Sequence, residues 1–121
     1  MADTGLPRRR LRLDLAAGVS FGPGKAQLLQ CIVETGSIAA AGRRIGMSYK
    51  RAWQLVDSLN REFAAPLVGA NRGGAHGGGA ALTPLGAEVL AAYRALEAKA
   101  SADLHDGLVR LANTLAPRAP G

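Results

Sequence analysis

Apolar residues recur along this chain at spacings of three and four over most of its length, and at a spacing of two only near its start. The longer period predicts helices. Leu28, Leu29, Ile32 and Val33 mark the core face of a first helix, and Ile38, Ala41 and Ile45 that of a second. Ala52, Leu55, Val56, Leu59 and Phe63 form the stripe of a third. A fourth stripe runs through Leu85, Val89, Tyr93, Leu96, Ala100, Leu104, Leu108, Leu111 and Leu115. It is too long for a small domain to cover completely, so part of it is expected to meet a second chain. The short period, in Arg10-Leu11-Arg12-Leu13-Asp14-Leu15, predicts a half-buried strand with a basic outer face. Turn formers from Gly18 to Gly24 separate it from the first helix.

Local signals divide the helices. Gly36 suits the left-handed residue that ends a helix, and the Ser37 hydroxyl suits an N-cap for the next. That second helix breaks at Gly46, and Ser48 caps the third after a turn of about three residues. Thr83-Pro84 opens the fourth, threonine as cap and proline at the first helical position. Asp106-Gly107 is expected to interrupt it, giving one long helix to about His105 and a shorter one beyond.

Two short helices joined by a tight turn, the second basic at its start, have the form of a DNA-reading helix-turn-helix. Lys50, Gln54 and Arg61 lie opposite the apolar stripe of the third helix, Arg51 on one flank, Tyr49 and Trp53 on the other. A long donor at the front of such a helix reaches guanine acceptors, and glutamine pairs both edge groups of adenine. By itself this face also fits an ordinary solvated amphipathic helix. The segment that follows shifts the reading. Pro66-Leu67-Val68 and Ala80-Ala81-Leu82 read as two strands around a tip, Asn71 to Gly79, with five glycines, which is where a wing sits. Glycines let the backbone approach a phosphodiester, and Arg72 and His76 supply donors there. His76-Gly77-Gly78-Gly79 also spells the oxyanion loop of some esterases, but no G-x-S-x-G elbow and no Gly-Lys-Ser/Thr phosphate loop occurs. Catalysis is therefore not expected.

The predicted fold is mainly α with a small β wing: a winged helix-turn-helix with an N-terminal strand and a long C-terminal dimerisation helix. Residues 8–82 form the winged domain and 83–116 the C-terminal helix or helices, between disordered tails at 1–7 and 117–121. The 121 residues suit one domain, and 48% apolar content supplies a core despite only five aromatics. Fifteen Lys and Arg against nine Asp and Glu, net +6, suit a polyanion. Arg8, Arg9, Arg10, Arg12, Arg43, Arg44, Lys50, Arg51 and Arg72 gather the positive charge in the first two thirds, whereas five of the nine acids follow position 60. DNA contact is expected N-terminally and dimer contact C-terminally. Cys31 is a small core residue with no partner for a disulfide, which suits a reducing cytoplasm. His76 and His105 are too scattered for a metal site, no cofactor is implied, and no apolar run reaches transmembrane length.

From about Gly24 to Leu96 the chain resembles the N-terminal DNA-binding domain of the molybdate-responsive transcriptional regulators, the ModE type. The resemblance lies in Thr35-Gly36-Ser37-Ile38, in Ser48-Tyr49-Lys50-Arg51-Ala52-Trp53, in Asn60, and in the glycine-rich wing closing in Ala81-Leu82-Thr83. Ser-Tyr-Lys-x-Ala-Trp and the preceding strand favour this type over the related LysR-type domains. The resemblance implies a homodimer on double-stranded DNA, with two recognition helices in successive major grooves of an inverted repeat. It places Ser48, Tyr49, Lys50, Arg51 and Gln54 at the groove and Arg72 at the wing. Ser37, Arg43, Arg44 and His76 complete the expected DNA contacts; Leu85, Val89, Tyr93, Leu96, Leu104 and Leu108 are the expected dimer contacts. Wings of the family often carry a lysine where this chain has Ala75 and His76, which implies weaker wing contact, sensitive to pH near neutrality. Full-length members carry C-terminal oxyanion-binding modules, and a chain ending at Gly121 has no room for one, so molybdate binding is not expected here. Met1 and the polar ending read as a complete small protein, against the alternative of a piece of a longer regulator. The competing functional class is an adaptor whose basic patch grips an acidic protein partner. RNA binding is disfavoured by the scarcity of stacking aromatics.

Overall fold

The computed structural model of the chain describes residues 9–71 and 79–117. The order is β1 (Leu13–Ala16), β2 (Val19–Phe21), α1 (Pro23–Thr35), α2 (Ile38–Arg44), α3 (Tyr49–Glu62), β3 (Val68–Asn71), β4 (Gly79–Leu82) and α4 (Pro84–Ala112). This is a winged helix-turn-helix, as the apolar periods predict.

The N-terminus differs from expectation in one respect. The stretch of turn formers from Gly18 to Gly24 contains a strand, β2, antiparallel to β1 with Leu13 opposite Phe21 and Asp14 opposite Ser20. Gly18, at φ +76°, makes the reversal tight enough for the chain to pair at once. Strand β1 therefore starts at Leu13 rather than Arg10, and the alternation fails at Leu15, which is exposed. Pairing earns its place through Phe21, a core residue that periodicity does not reveal. Its buried ring meets Tyr93 of α4 edge-on at 5.0 Å and Phe63 at 6.4 Å. Lys25 ties the same corner, donating to the Ser20 carbonyl at 2.6 Å and to the Glu62 carboxylate at 3.3 Å.

The core is filled by Leu28, Leu29 and Ile32 of α1, Ile38 and Ala41 of α2, Ala52, Val56 and Leu59 of α3, and Leu67 beside the wing. Cys31 is buried among them. Val33, expected on the core face of α1, is 56% exposed; it lies in the last turn of the helix, beyond the buried Ala26, Leu28, Leu29, Cys31 and Ile32. Helix α1 starts with Pro23 at its first turn and ends at Gly36, φ +71°, whose N–H reaches the Ile32 carbonyl.

Helix α4 runs unbroken from Pro84 to Ala112, so Asp106-Gly107 does not divide it. A glycine inside a helix costs about 1 kcal/mol relative to alanine, too little to end a helix flanked by good helix formers such as Leu104, Leu108, Arg110 and Leu111. At 1.5 Å per residue its 29 residues span roughly 43 Å. Its first turns pack on the domain and its distal half extends away.

Candidate nucleic-acid interface

The site is built on α2 and α3. Ser37 is extended at φ −152° and its hydroxyl accepts from the Ala40 amide at 3.1 Å, capping α2. The chain leaves α2 through Ile45 and reverses at Gly46, φ +73°, with the Met47 amide bonded to the Gly42 carbonyl at 2.8 Å. Ser48 caps α3 by accepting from the Arg51 amide at 3.1 Å. The two helices touch at Gly42, where an added Cβ would stand 3.1 Å from the Ala52 Cβ, so their crossing distance is set by the missing side chain.

This packing turns the other face of α3 outward. Tyr49, Lys50, Arg51, Trp53, Gln54, Asp57 and Arg61 are all exposed. Arg61 pairs with Asp57 one turn away at 3.2 Å. The side chains of Lys50, Arg51 and Gln54 enter no hydrogen bond or ion pair among the described residues. Tyr49 and Trp53 form an edge-to-face pair at 6.1 Å. On α2, Arg43 is exposed, and Arg44 holds Glu34 at 2.7 Å in a solvent-facing pair. An exposed pair of this kind is weak and leaves the guanidinium available to a phosphate.

The wing is held against this surface. Val68 faces Leu82 and Asn71 faces Gly79 across the antiparallel pair, and the Ala80 amide bonds the Gly36 carbonyl at 2.8 Å, anchoring β4 at the corner between α1 and α2. Asn60 of α3 grips the other side. Its Oδ1 accepts from the Leu67 amide at 2.9 Å and the Val68 amide at 3.0 Å, and its Nδ2 donates to the Val68 carbonyl at 3.1 Å. The side chain thus serves β3 as a substitute neighbour along the edge that β4 leaves open. Pattern reading attaches no role to Asn60, because its partners are backbone groups supplied by another element. Ser37, Tyr49, Trp53 and Asn60 line a hollow of about 260 Å³ between α2, α3 and the wing root. Arg72 and His76, the expected wing donors, lie outside the described residues.

The expected dimer residues separate into two groups. Tyr93 is 2% exposed and belongs to the core, and Leu85 and Val89 are half-buried against it. The first turns of α4 cover the domain, and Leu90, outside the predicted stripe, is buried with Tyr93. Leu96 and Leu104 are each 48% exposed, Leu108 is half-buried, and Leu111 and Leu115 are exposed. The Tyr93 hydroxyl donates to the Leu11 carbonyl at 2.6 Å, and burial, with the Glu97 carboxylate close by, raises its pKa above the ordinary tyrosine value. Arg9 adds a second tie between the N-terminal segment and α4, donating to the Glu97 carbonyl and, at 2.7 Å, to the Ser101 hydroxyl.

Residues 24–87, more than half of the 121, match the bacterial regulatory helix-turn-helix proteins of the lysR family. The chain belongs to this family. The matched segment runs from the start of α1 through the wing to the first turn of α4, which is the unit that positions the exposed face of α3. Similar curated proteins include the molybdenum-pterin-binding protein MopB of Rhodobacter capsulatus, 51% identical over 67% of this chain and 30% of its own length. The molybdenum transport protein ModE of Azotobacter vinelandii is 40% identical over 73% of this chain and 33% of its own. The DNA-binding transcriptional dual regulator ModE of Escherichia coli is 35% identical over 69% and 32%. The chain thus spans about a third of the length of these relatives. The resemblance to ModE-type regulators and the winged fold both hold. No helix among the described residues is long and apolar enough to cross a membrane.

Proposed function

We propose that this chain reads double-stranded DNA as a homodimeric transcriptional regulator, laying α3 of each copy in the major groove of one half of an inverted repeat. The observation that carries this reading is the division of α3. Its apolar stripe is committed to the core, and its start is capped, while Lys50, Arg51 and Gln54 stand exposed and unpaired on the opposite face. Donors held out on a rigid helix suit groove reading, because little side-chain packing has to be undone to use them. Arg43, Arg44 and Arg72 supply phosphate contacts and most of the affinity, and Ser37 and His76 add donors near the backbone.

The dimer contact lies along distal α4. Leu96, Leu104, Leu108 and Leu111 follow one another on a helix that leaves the domain, Leu115 lies just past its end, and a second copy of that helix covers them. The relatives' names refer to molybdenum, to molybdenum-pterin and to transcription. The third of each that matches this chain contains the helix-turn-helix, so the function proposed for these residues is DNA binding in the cytoplasm, with no role for molybdate and no catalytic step.

The test is selection of binding sites from a random duplex pool at about 0.2 M salt, where purely electrostatic binding is suppressed. The expected product is an inverted repeat with half-sites roughly one helical turn apart. Retention of all sequences alike refutes the reading and favours an adaptor that binds an acidic protein.

A further inference from the structure

The chain has five aromatic side chains, and the fold consumes three of them, Phe63 and Tyr93 each meeting Phe21, in one internal cluster. Tyr49 and Trp53 are the other two. They stand one helical turn apart on α3, 62% and 45% exposed, and neither belongs to the core. Keeping two large rings in water adds nothing to the stability of the fold, so their cost calls for a use elsewhere. Their surroundings indicate it. On one side the rings share a surface depression with Lys50 and Gln54. On the other they wall the hollow floored by Ile38, Ala39 and Val56, which the small residues Gly69 and Ala70 of β3 leave open. The aromatic pair therefore sits within the face that carries the hydrogen-bonding side chains, where an apolar group on a base edge would meet it. The major groove offers one such group on unmodified DNA, the C5 methyl of thymine.

We propose that Tyr49 and Trp53 read thymine methyl groups by apolar contact, a specificity element working beside Lys50 and Gln54; this rests on the DNA-reading role proposed above. Four residues of helix advance about 6 Å at 1.5 Å each, and successive bases of one strand are about 3.4 Å apart. The two rings thus address positions about two steps apart in each half-site. The edge-to-face arrangement presents a ring edge and a ring face side by side, a surface suited to methyl groups and unsuited to stacking on bases that remain paired.

The experiment replaces single thymines of the selected operator by deoxyuridine, which removes the methyl and leaves every hydrogen-bonding group and phosphate in place. Binding is measured at about 0.2 M salt for the unmodified chain and for Tyr49→Ala, Trp53→Ala and Trp53→Phe, with circular dichroism confirming that each is folded. Two positions per half-site are expected to weaken binding by the unmodified chain about four-fold each, the transfer value of one buried methyl. Trp53→Ala abolishes the response at one position and Tyr49→Ala at the other, whereas Trp53→Phe keeps it. A chain that binds its selected operator equally well with uracil at every position overturns the proposal. So does a uracil response that persists unchanged in both alanine variants, since the methyls then act through other residues or through DNA shape. Failure to select any sequence is a different result, which removes the DNA-reading role itself and this inference with it.

Discussion

Replacing glycine by alanine inside a helix ordinarily stabilises a protein by about 0.8 to 1.0 kcal/mol, because alanine has less backbone freedom to lose. Helix α4 contains two glycines that should answer this substitution with opposite signs. Gly107 is exposed and nothing lies within 4 Å of where its Cβ would be, so Gly107→Ala should stabilise by roughly 0.5 to 1 kcal/mol. Gly86 is buried in the first turn, where an added Cβ would stand 2.1 Å from the Leu67 carbonyl oxygen and 3.0 Å from its carbon. The Cβ position is fixed by the helix backbone and its partner is backbone, so no rotamer change relieves the contact. Separating them by about 1 Å strains the Thr83 amide to Leu67 carbonyl bond, 2.9 Å long, and loosens the fully buried Leu67. Overpacking of this kind costs about 1 to 3 kcal/mol, and a weakened hydrogen bond about 0.5 to 1.5. After subtraction of the propensity gain, Gly86→Ala should destabilise by roughly 1 to 3 kcal/mol. Urea unfolding at one fixed protein concentration separates the two variants, since 2 kcal/mol moves the midpoint by roughly 1 M at an m-value near 2. A Gly86→Ala protein as stable as the unmodified chain would refute the packing argument at the junction of α4 with the wing.

Asn60→Ala strips two amides of their acceptor and a carbonyl of its donor at β3, and should cost about 2 to 4 kcal/mol in the same assay; a loss under 1 kcal/mol means that water replaces the side chain freely. Lys50→Ala and Gln54→Ala should each lose about 1 to 3 kcal/mol on the selected site and relax base preference there, in titrations that include a scrambled duplex. Equal losses on both duplexes would assign these side chains to phosphates. Leu96→Asp should yield monomers in sedimentation equilibrium, and a persistent dimer places the interface elsewhere. The raised pKa of Tyr93 means that the folded state holds the phenolic proton more tightly than the unfolded chain does. Its contribution is fully present below the ordinary tyrosine value and is lost as pH rises through the raised one. Tyr93→Phe should therefore be less stable at neutral pH, having lost the bond to the Leu11 carbonyl, and show a shallower alkaline decline. Parallel pH curves for the two proteins contradict that assignment.

The helix-turn-helix was legible from residue pattern because its signals are local. Ser37 and Ser48 cap within three residues of themselves, Gly36 and Gly46 take a backbone conformation that few other residues accept, and the α3 stripe repeats with the helical period. The outward face of α3 followed from that stripe, since residues opposite a core face have nowhere else to point. The strand β2 escaped because Val19-Ser20-Phe21 is too short to establish a period, and only the contacts of Phe21 with Tyr93 and Phe63 justify it.

Long-range partners account for the rest. A stripe on a helix states that some surface will cover it and not which surface, so α4 could be divided between Tyr93 inside and Leu96 outside only once the domain had closed beneath its first turns. The same holds for Asn60, whose role depends on a strand edge brought to it from beyond the end of its helix. Chain-local chemistry determined where helices begin, end and turn an apolar face, because capping, backbone conformation and period act over a few residues. Tertiary closure decided which apolar residues were consumed within the chain and which polar groups found partners, because burial is a property of the space between elements rather than of any one of them.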